Sequence, residues 1–206
     1  MPDFRLQPIV DLQTDDTIGF ELLAGETCCP DWGSDEWVEW YARMSDALLS
    51  HTPSNTLIFV NVDAAQICDA AVTQHLDRVM RERRCVLEWT EHYVDAAQQD
   101  RAIAALRCYA QRGVHLAVDD VGDGVDGLGR ALRVMPRYIK FSMMLTHRGR
   151  EAGGEHFLQR LNALFAGLGC DTIAEGIETA DDAARCLAAG IRYGQGFWFG
   201  DGRIQD

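Results

Sequence analysis

The sequence predicts an α/β protein, specifically a TIM-like (β/α) barrel whose first strand runs antiparallel to its neighbours. Short apolar runs alternate with longer segments of helical periodicity, a pattern typical of βα units and a mostly parallel sheet. Eight strand candidates in 206 residues suit a closed barrel better than an open sheet. The first two candidates are separated only by residues 11–17, too few for a crossover helix, so we expect them to form an antiparallel hairpin.

The strand candidates are short runs rich in apolar residues, and most of them end beside a polar residue. In chain order they cover residues 4–10, 18–23, 57–62, 85–89, 114–118, 138–141, 172–174 and 193–199. The segments between them carry helical periodicity at 35–49, 64–83, 95–112, 127–134, 154–168 and 180–189.

Several of the predicted helices carry signals at their ends. Asp95 with Gln98 and Thr179 with Asp182 have the spacing of an N-cap residue and its third helical residue. Gly113 follows a periodic segment at the position where a left-handed cap residue is common, and Gly190 follows another. These signals support the helix boundaries on which the strand order depends.

Composition favours one domain over residues 1–206, with 47% apolar residues and no linker-like tract. A formal charge of −13 argues against nucleic acid or an anionic membrane surface as a partner. The amino-terminal residues lack the pattern of a secretory signal, no apolar run is long enough to span a bilayer, and the seven cysteines show no paired spacing. We therefore expect a reduced, cytoplasmic protein.

Polar side chains follow the predicted strands one after another. They are Glu21, Asn61, Glu88, Asp119, Asp120, Lys140, Glu175 and Gln195. In a parallel barrel the carboxyl ends of the strands open on one face, so we expect these side chains to converge there. The five carboxylates among them can crowd together in ionised form only if cations neutralise them. Their oxygens suit one or two Mg²⁺ or Mn²⁺ ions. Two such ions can bind the attacking and leaving oxygens of a phosphoryl transfer. Taken singly, a Glu or Asp at the end of a strand is more often a helix cap or a solvated loop residue.

Seven segments of the chain together resemble the EAL-domain family of bacterial cyclic di-GMP phosphodiesterases. They are FELLA, VNVD, LEWTE, AVDDVGDG, YIKFS, IAEGIET and YGQGFWFG, in that order. The resemblance covers essentially the whole chain, and its most specific part is AEGIET followed twenty residues after Glu175 by Gln195. It implies the compact EAL type of barrel.

The resemblance also implies roles for individual residues. Metal ligands would be Glu21, Asn61, Glu88 and Asp119, with Asp120 and Glu175 serving a second metal and the attacking water. Lys140, the only lysine beside eighteen arginines, would contact that water, and Glu91 would brace the loop that begins at Asp120. Leu23 and Gln195 would lie against the substrate.

The chain also departs from the family pattern. Gly25 replaces an expected Arg, which removes a bidentate phosphate contact. The loop expected to read D-D-F-G-T-G-Y reads DDVGDGV, with Asp123 for Thr and with Val121 and Val125 for aromatic residues. Ser142 stands where the family has Asp, and Asp63 stands where it has Ser.

These residues imply a metal-dependent hydrolysis of cyclic di-GMP to linear pGpG, weakened by Gly25 and the altered loop. The alternative is a catalytically inactive module that senses cyclic di-GMP or binds a protein, for example a regulator of motility or biofilm formation. A homodimer is possible in either case. The stripe of Trp37, Trp40, Tyr41, Met44 and Leu48 at helical spacing should belong to the core, although an exposed part would favour a protein contact.

Overall fold

The structure, a computed structural model, describes residues 4–25, 32–90, 94–124 and 126–200. Within these ranges eight strands close into a barrel in chain order. The strands are β1 Phe4–Asp11, β2 Thr17–Ala24, β3 Leu57–Val62, β4 Arg84–Trp89, β5 His115–Val121, β6 Tyr138–Phe141, β7 Asp171–Ala174 and β8 Tyr193–Gly194. β1 pairs antiparallel with both β2 and β8, and every other pair is parallel. The predicted fold, including the reversed first strand, is confirmed.

Helices connect the strands around the outside of the barrel. They are α1 Ser34–His51, α2 Ala70–Glu82, α3 Ala96–Gln111, α4 Gly127–Val134, α5 Met143–Arg148, α6 Gly154–Gly167 and α7 Ala180–Ala188. The helix predicted over 64–83 is divided into a 3₁₀ turn, Gln66–Cys68, and α2, because Asp69 leaves the helical conformation and its side chain caps α2. The short α5 was not predicted.

The predicted caps are present. The Asp95 side chain accepts a hydrogen bond from the amide of Gln98, and Thr179 forms a reciprocal capping box with Asp182. Gly113 and Gly190 both adopt the left-handed conformation after their helices. The sequence signals at these helix ends therefore act as predicted.

The barrel encloses its own small core, separate from the larger core between barrel and helices. Ile9, Phe59, Val86, Ala117 and Ile173 are among the residues that fill the interior. Side chains on the opposite face of each strand pack outward against the helices. Because side chains alternate between the two faces of a strand, strands β1 to β7 contribute to both cores.

The aromatic stripe of α1 belongs mainly to the outer core. Trp40, Tyr41, Met44 and Leu48 are buried, and Trp37 is half-buried with its ring against those of Trp40 and Tyr41. The core interpretation of this stripe is confirmed.

The last strand is shorter than the apolar run 193–199 predicts. β8 ends at Gly194, and the following residues turn away from the sheet. A Cβ on Gly196 would lie 2.2 Å from the Ile177 carbonyl oxygen, and its φ of 157° also favours glycine. The turn leaves Phe197 72% exposed beside the barrel opening.

None of the helices described in the structure is long and apolar enough to cross a membrane. The described cysteines, Cys68, Cys85, Cys108, Cys170 and Cys186, are free thiols.

We expect Asp182→Asn to lower the free energy of unfolding by about 2 kcal/mol at pH 7, because hydrogen bonds to charged groups each contribute about 1.5–3 kcal/mol. Asp182 is 1% exposed and accepts hydrogen bonds from the side chains of Arg150, Arg185 and Thr179. The hydrogen bond from Arg150 lowers the pKa of Asp182 below its usual range, although burial opposes the shift. A lowered pKa stabilises the folded state above the pKa of the unfolded chain and loses that effect as the pH falls.

Urea denaturation at pH 7 and pH 3 measures this difference, which should shrink at the lower pH. Asp181→Asn is the matched control, since Asp181 is exposed on the same helical turn. An equal loss of stability in both variants would contradict the role of the buried carboxylate.

Candidate metal and catalytic site at the barrel mouth

The polar residues at the mouth follow from the two-residue period of the strands. Six of them lie two positions beyond a residue that packs in the barrel interior, so each has the same facing as that residue, one level closer to the mouth. The pairs are Phe59 with Asn61, Val86 with Glu88, Ala117 with Asp119, Tyr138 with Lys140, Ile173 with Glu175 and Tyr193 with Gln195. Glu21 is in register with Phe59 on the neighbouring strand. The predicted convergence of these residues is present in the structure.

Lys140 lies at the centre of this polar layer. Its Nζ is 2.9 Å from Glu21 Oε2, 2.8 Å from Glu175 Oε1 and 3.2 Å from Asp119 Oδ1. It also donates a hydrogen bond to Glu88. Lys140 is 1% exposed, so these four carboxylates take the place of water around the ammonium. We call these five residues the ammonium cluster.

Burial and mutual repulsion shift the protonation of the cluster. Burial, with the charges of Glu21 and Asp119, raises the pKa of Glu88 well above its usual range. Burial raises the pKa of Glu175 to about 8, although Lys140 opposes the shift. Burial alone would lower the pKa of Lys140, but its four acidic neighbours outweigh burial and hold that pKa well above the usual value. The acidic neighbours therefore favour the charged form of Lys140.

A local irregularity brings two successive carboxylates to the mouth. In a regular strand, adjacent side chains would point to opposite faces. The pairing of β5 with β6 shifts between Val118 and Val121, and Asp120 adopts φ 52° in the left-handed region. As a result Asp119, Asp120 and Glu175 place carboxylate oxygens within 4.8 Å of one another.

Asn61 is held in place by contacts on two sides. Its amide nitrogen donates to Glu21 Oε1 at 2.7 Å, while the Tyr41 hydroxyl donates to the Asn61 main-chain oxygen at 2.7 Å. Tyr41 also contacts Gln66, whose side-chain oxygen accepts from the Asp63 amide. Asn61 Oδ1 remains buried without a hydrogen-bond partner in the described part of the chain.

Gln195 connects the last strand to the first two. Its Nε2 donates to Gln7 Oε1 at 2.7 Å and also to Glu21. Gln7 reaches the mouth from a position before Ile9 in the chain, because β1 runs antiparallel to its neighbours. A search for polar residues at carboxyl ends of strands misses Gln7 for that reason.

A cleft of about 240 Å³ opens beside the cluster. It is lined by Gln7, Asp120, Met143, Glu175, Gly176, Glu178, Gln195, Gly196 and Phe197. Main-chain hydrogen bonds join the loop after β7 to the loop after β8. The Ile177 amide donates to the Gln195 carbonyl oxygen at 3.1 Å, and the Trp198 amide donates to the Ile177 carbonyl oxygen at 3.0 Å. These bonds explain why AEGIET and the distant Gln195 form one wall.

The donor set of the mouth suits hard divalent cations. It offers carboxylate oxygens together with the unpartnered amide oxygen of Asn61, and all of these are ligand types that Mg²⁺, Mn²⁺ and Ca²⁺ accept. Asp119, Asp120 and Glu175 form a compact group on the cleft side. The residues therefore fit metal ions at this mouth.

Arg130 is a supporting residue that sequence reasoning missed. It is buried in α4 and donates to the main-chain oxygens of Trp89 and Asp119 at 2.7 and 2.8 Å. Its guanidinium thereby joins the mouth ends of β4 and β5. A buried Arg in a short helix gives no periodic signal by which the sequence could reveal this contact.

The other residues that the family resemblance singled out lie in different parts of the structure or outside its described ranges. Leu23 lies near the end of β2, half-buried, and Gly25 follows that strand. Glu91 and Val125 fall outside the described residues. Asp63 caps the 3₁₀ turn by accepting from the amides of Ala65 and Gln66.

Ser142 and Val121 occupy buried positions close to the mouth. Ser142 is the N-cap residue of α5, and its hydroxyl oxygen has no hydrogen-bond partner among the described residues. Val121 lies in the outer core. Neither substitution opens the site to solvent.

Comparison with known proteins points to one family. The family model described as the EAL domain matches residues 38–201. The cyclic di-GMP phosphodiesterase PdeR of Escherichia coli K12 is 26% identical over 151 residues, which are 70% of this chain and 23% of PdeR. The chain thus spans about a quarter of the length of that relative.

Two solved structures extend the likeness over nearly the whole chain. The EAL domain of Mycobacterium smegmatis DcpA has a TM-score of 0.77 at 21% identity, covering 99% of this chain and 98% of DcpA's. Klebsiella pneumoniae BlrP1, in a complex with calcium and cyclic di-GMP, has a TM-score of 0.80 at 23% identity. The match covers 96% of this chain and 55% of the BlrP1 chain. BlrP1 has also been solved with manganese and cyclic di-GMP. At these identities the structures establish the shared fold.

We expect Lys140→Met to lower the free energy of unfolding by about 3 kcal/mol in metal-free buffer, since removing one partner of a buried ionic group costs about 3–5 kcal/mol. The substitution removes the charge that the four surrounding carboxylates share. Urea denaturation at pH 7 with a chelator measures the loss. Arg84→Met is the control, because Arg84 is exposed at the opposite end of the barrel. Unchanged stability of Lys140→Met would show that the carboxylates do not depend on the ammonium.

Proposed function

The chain belongs to the EAL domain family, and on that premise we propose that its barrel mouth hydrolyses cyclic di-GMP to linear pGpG with the help of divalent metal ions. We further propose that residues 1–206 act as one domain in the cytoplasm. The observation that carries the proposal is the ammonium cluster, in which four of the acidic residues implied by the family pattern meet Lys140 in one buried layer.

Two groups of side chains would hold the metals. The first metal would be held by side chains deep in the mouth, namely Glu21, Asn61, Glu88 and Asp119. The second would be held nearer the cleft, by Asp120 and Glu175. Five carboxylates and one ammonium carry four net negative charges when all are ionised, which two divalent cations would balance. Metals bound here would supply Lewis-acid stabilisation of the charge that develops on the scissile phosphodiester.

The side chains of this chain perform the remaining steps. Lys140 holds the carboxylates in place and presents positive charge to the attacking water. Glu175 lies beside Lys140 and lines the cleft, so its carboxylate can accept the proton that the water releases. The water oxygen forms a new bond to phosphorus as one ring P–O bond breaks. The departing sugar oxygen takes a proton from solvent, and Glu175 then releases to solvent the proton that it accepted. Gln195, fixed by Gln7 and Glu21, forms the adjacent wall, and Leu23 would contact the substrate from β2.

The alternative is a non-catalytic EAL protein that binds cyclic di-GMP or a protein partner, alone or as a homodimer. The observation in its favour is that no basic residue lines the cleft as far as the structure describes it. Gly25 adds to this by removing the expected guanidinium. The burial of the α1 aromatic stripe removes one argument for a protein contact.

We expect the purified protein to hydrolyse cyclic di-GMP in the presence of Mn²⁺ or Mg²⁺. Glu21→Ala and Lys140→Ala should each lower kcat by about 100-fold or more, because both remove groups that act on the developing charge. Separation of cyclic di-GMP from pGpG by chromatography measures the rate. Arg84→Ala, at the far end of the barrel, should retain the parent rate.

No turnover by the parent at high enzyme and substrate concentration, with no rise in melting temperature on adding Mn²⁺, would reject the enzyme hypothesis. A calorimetric titration of cyclic di-GMP in Ca²⁺ would then decide whether the binding alternative survives.

We expect Gly25→Arg to lower KM for cyclic di-GMP by about tenfold with little change in kcat. A charge-assisted hydrogen bond contributes about 1.5–3 kcal/mol, and a guanidinium at this position would add one to a phosphate away from the reacting bond. Steady-state kinetics of parent and variant measure the effect. Gly25→Gln, which adds length without charge, is the control, and an equal fall in KM for it would show that charge is not responsible.

A further inference from the structure

Arg5 faces the barrel opening from the first strand. On β1, Phe4 and Leu6 pack outward, with the Phe4 ring against that of Trp40. Ile9 fills the barrel interior, and Gln7 contacts Gln195 at the mouth. By the same alternation Arg5 points toward the barrel axis, one level above Gln7.

This position is close to the point where β2 leaves the barrel. Arg5 is in register with Leu23, as Gln7 is with Glu21. Two residues along a strand correspond to about 7 Å, so the Arg5 side chain starts that far above the layer of the ammonium cluster. Gly25 lies two residues after Leu23, the strand partner of Arg5.

Arg5 is half-buried, yet its guanidinium makes no hydrogen bond or ion pair within the described ranges. Two other cations in the described part of the mouth already have partners. Lys140 is surrounded by carboxylates, and Arg130 donates to two main-chain oxygens. Arg5 is therefore a cation at the rim whose hydrogen-bonding capacity is available.

Cyclic di-GMP carries two phosphodiesters in one ring, and only one can react at the metal-binding layer in a single turnover. The other adds a negative charge to a mouth already rich in carboxylates, and the cleft lining offers it no basic residue. A planar guanidinium can bind such a phosphate through two parallel hydrogen bonds. The rim position of Arg5 suits a phosphate held away from the reacting bond.

We propose that Arg5 binds the second, non-reacting phosphodiester of the cyclic dinucleotide and so replaces part of the contact that the missing guanidinium at residue 25 would make. This inference rests on the proposed function only in taking cyclic di-GMP as the ligand. It makes Arg5 a substrate-binding residue rather than a catalytic one. Arg5 would then favour ligands that carry two phosphodiesters over ligands that carry one.

Calorimetric titration of cyclic di-GMP in Ca²⁺ tests Arg5 without requiring turnover. We expect Arg5→Ala to raise Kd about tenfold, Arg5→Lys to raise it less, and Arg84→Ala to leave it unchanged. The dependence of Kd on salt concentration should also weaken in Arg5→Ala, because one phosphate contact is lost. Adding Gly25→Arg to Arg5→Ala should restore most of the affinity. Equal melting temperatures of parent and Arg5→Ala establish that the fold is intact.

A Kd for Arg5→Ala within twofold of the parent, or a similar loss in Arg84→Ala, would overturn the role of Arg5. Binding without hydrolysis by the parent would reject the proposed catalytic activity and leave the comparison of Kd values decisive for Arg5. Absence of cyclic di-GMP binding by the parent would overturn this inference together with the proposed function.

Discussion

The ammonium of Lys140 is the interaction on which the mouth of the barrel depends. Four carboxylates from β2, β4, β5 and the end of β7 approach it in a layer that solvent barely reaches. Without a cation at their centre these groups would repel each other strongly, and burial would drive several of them to bind protons. One ammonium does not balance four carboxylates in charge. Burial, together with repulsion from neighbouring carboxylates, raises the pKa values of Glu88 and Glu175. The same imbalance makes the mouth attractive to divalent ions.

The two-residue period of a strand explains why so much of this arrangement was predictable. A barrel interior must be filled by apolar side chains, and the next inward position at the carboxyl end then opens on the mouth. Val86 therefore fixes where Glu88 points, and Tyr138 fixes where Lys140 points. Once the strand order and the hairpin of β1 and β2 were assigned, the convergence of residues far apart in sequence followed from geometry.

The features that escaped prediction are departures from that period. Asp120 was expected at the mouth, but the left-handed conformation and the register shift that bring it there have no sequence signal in two adjacent aspartates. Gln7 arrives from a strand that runs the other way. The apolar run after Tyr193 predicted a long strand, but the backbone contact of Gly196 with Ile177 ends it after two residues. In each case a tertiary contact overrides a local pattern.

The choice of lysine at residue 140 has a geometric reason as well as an electrostatic one. An ammonium is compact and can donate in three directions from one atom, which suits carboxylates arriving from different strands. A guanidinium spreads its donors in a plane and is better matched to one phosphate or one carboxylate. Surface and rim positions of this chain use arginine throughout, and Arg5 at the rim has the shape for a phosphate. The single lysine thus occupies the one position in the described mouth where several acidic groups must share a single buried cation.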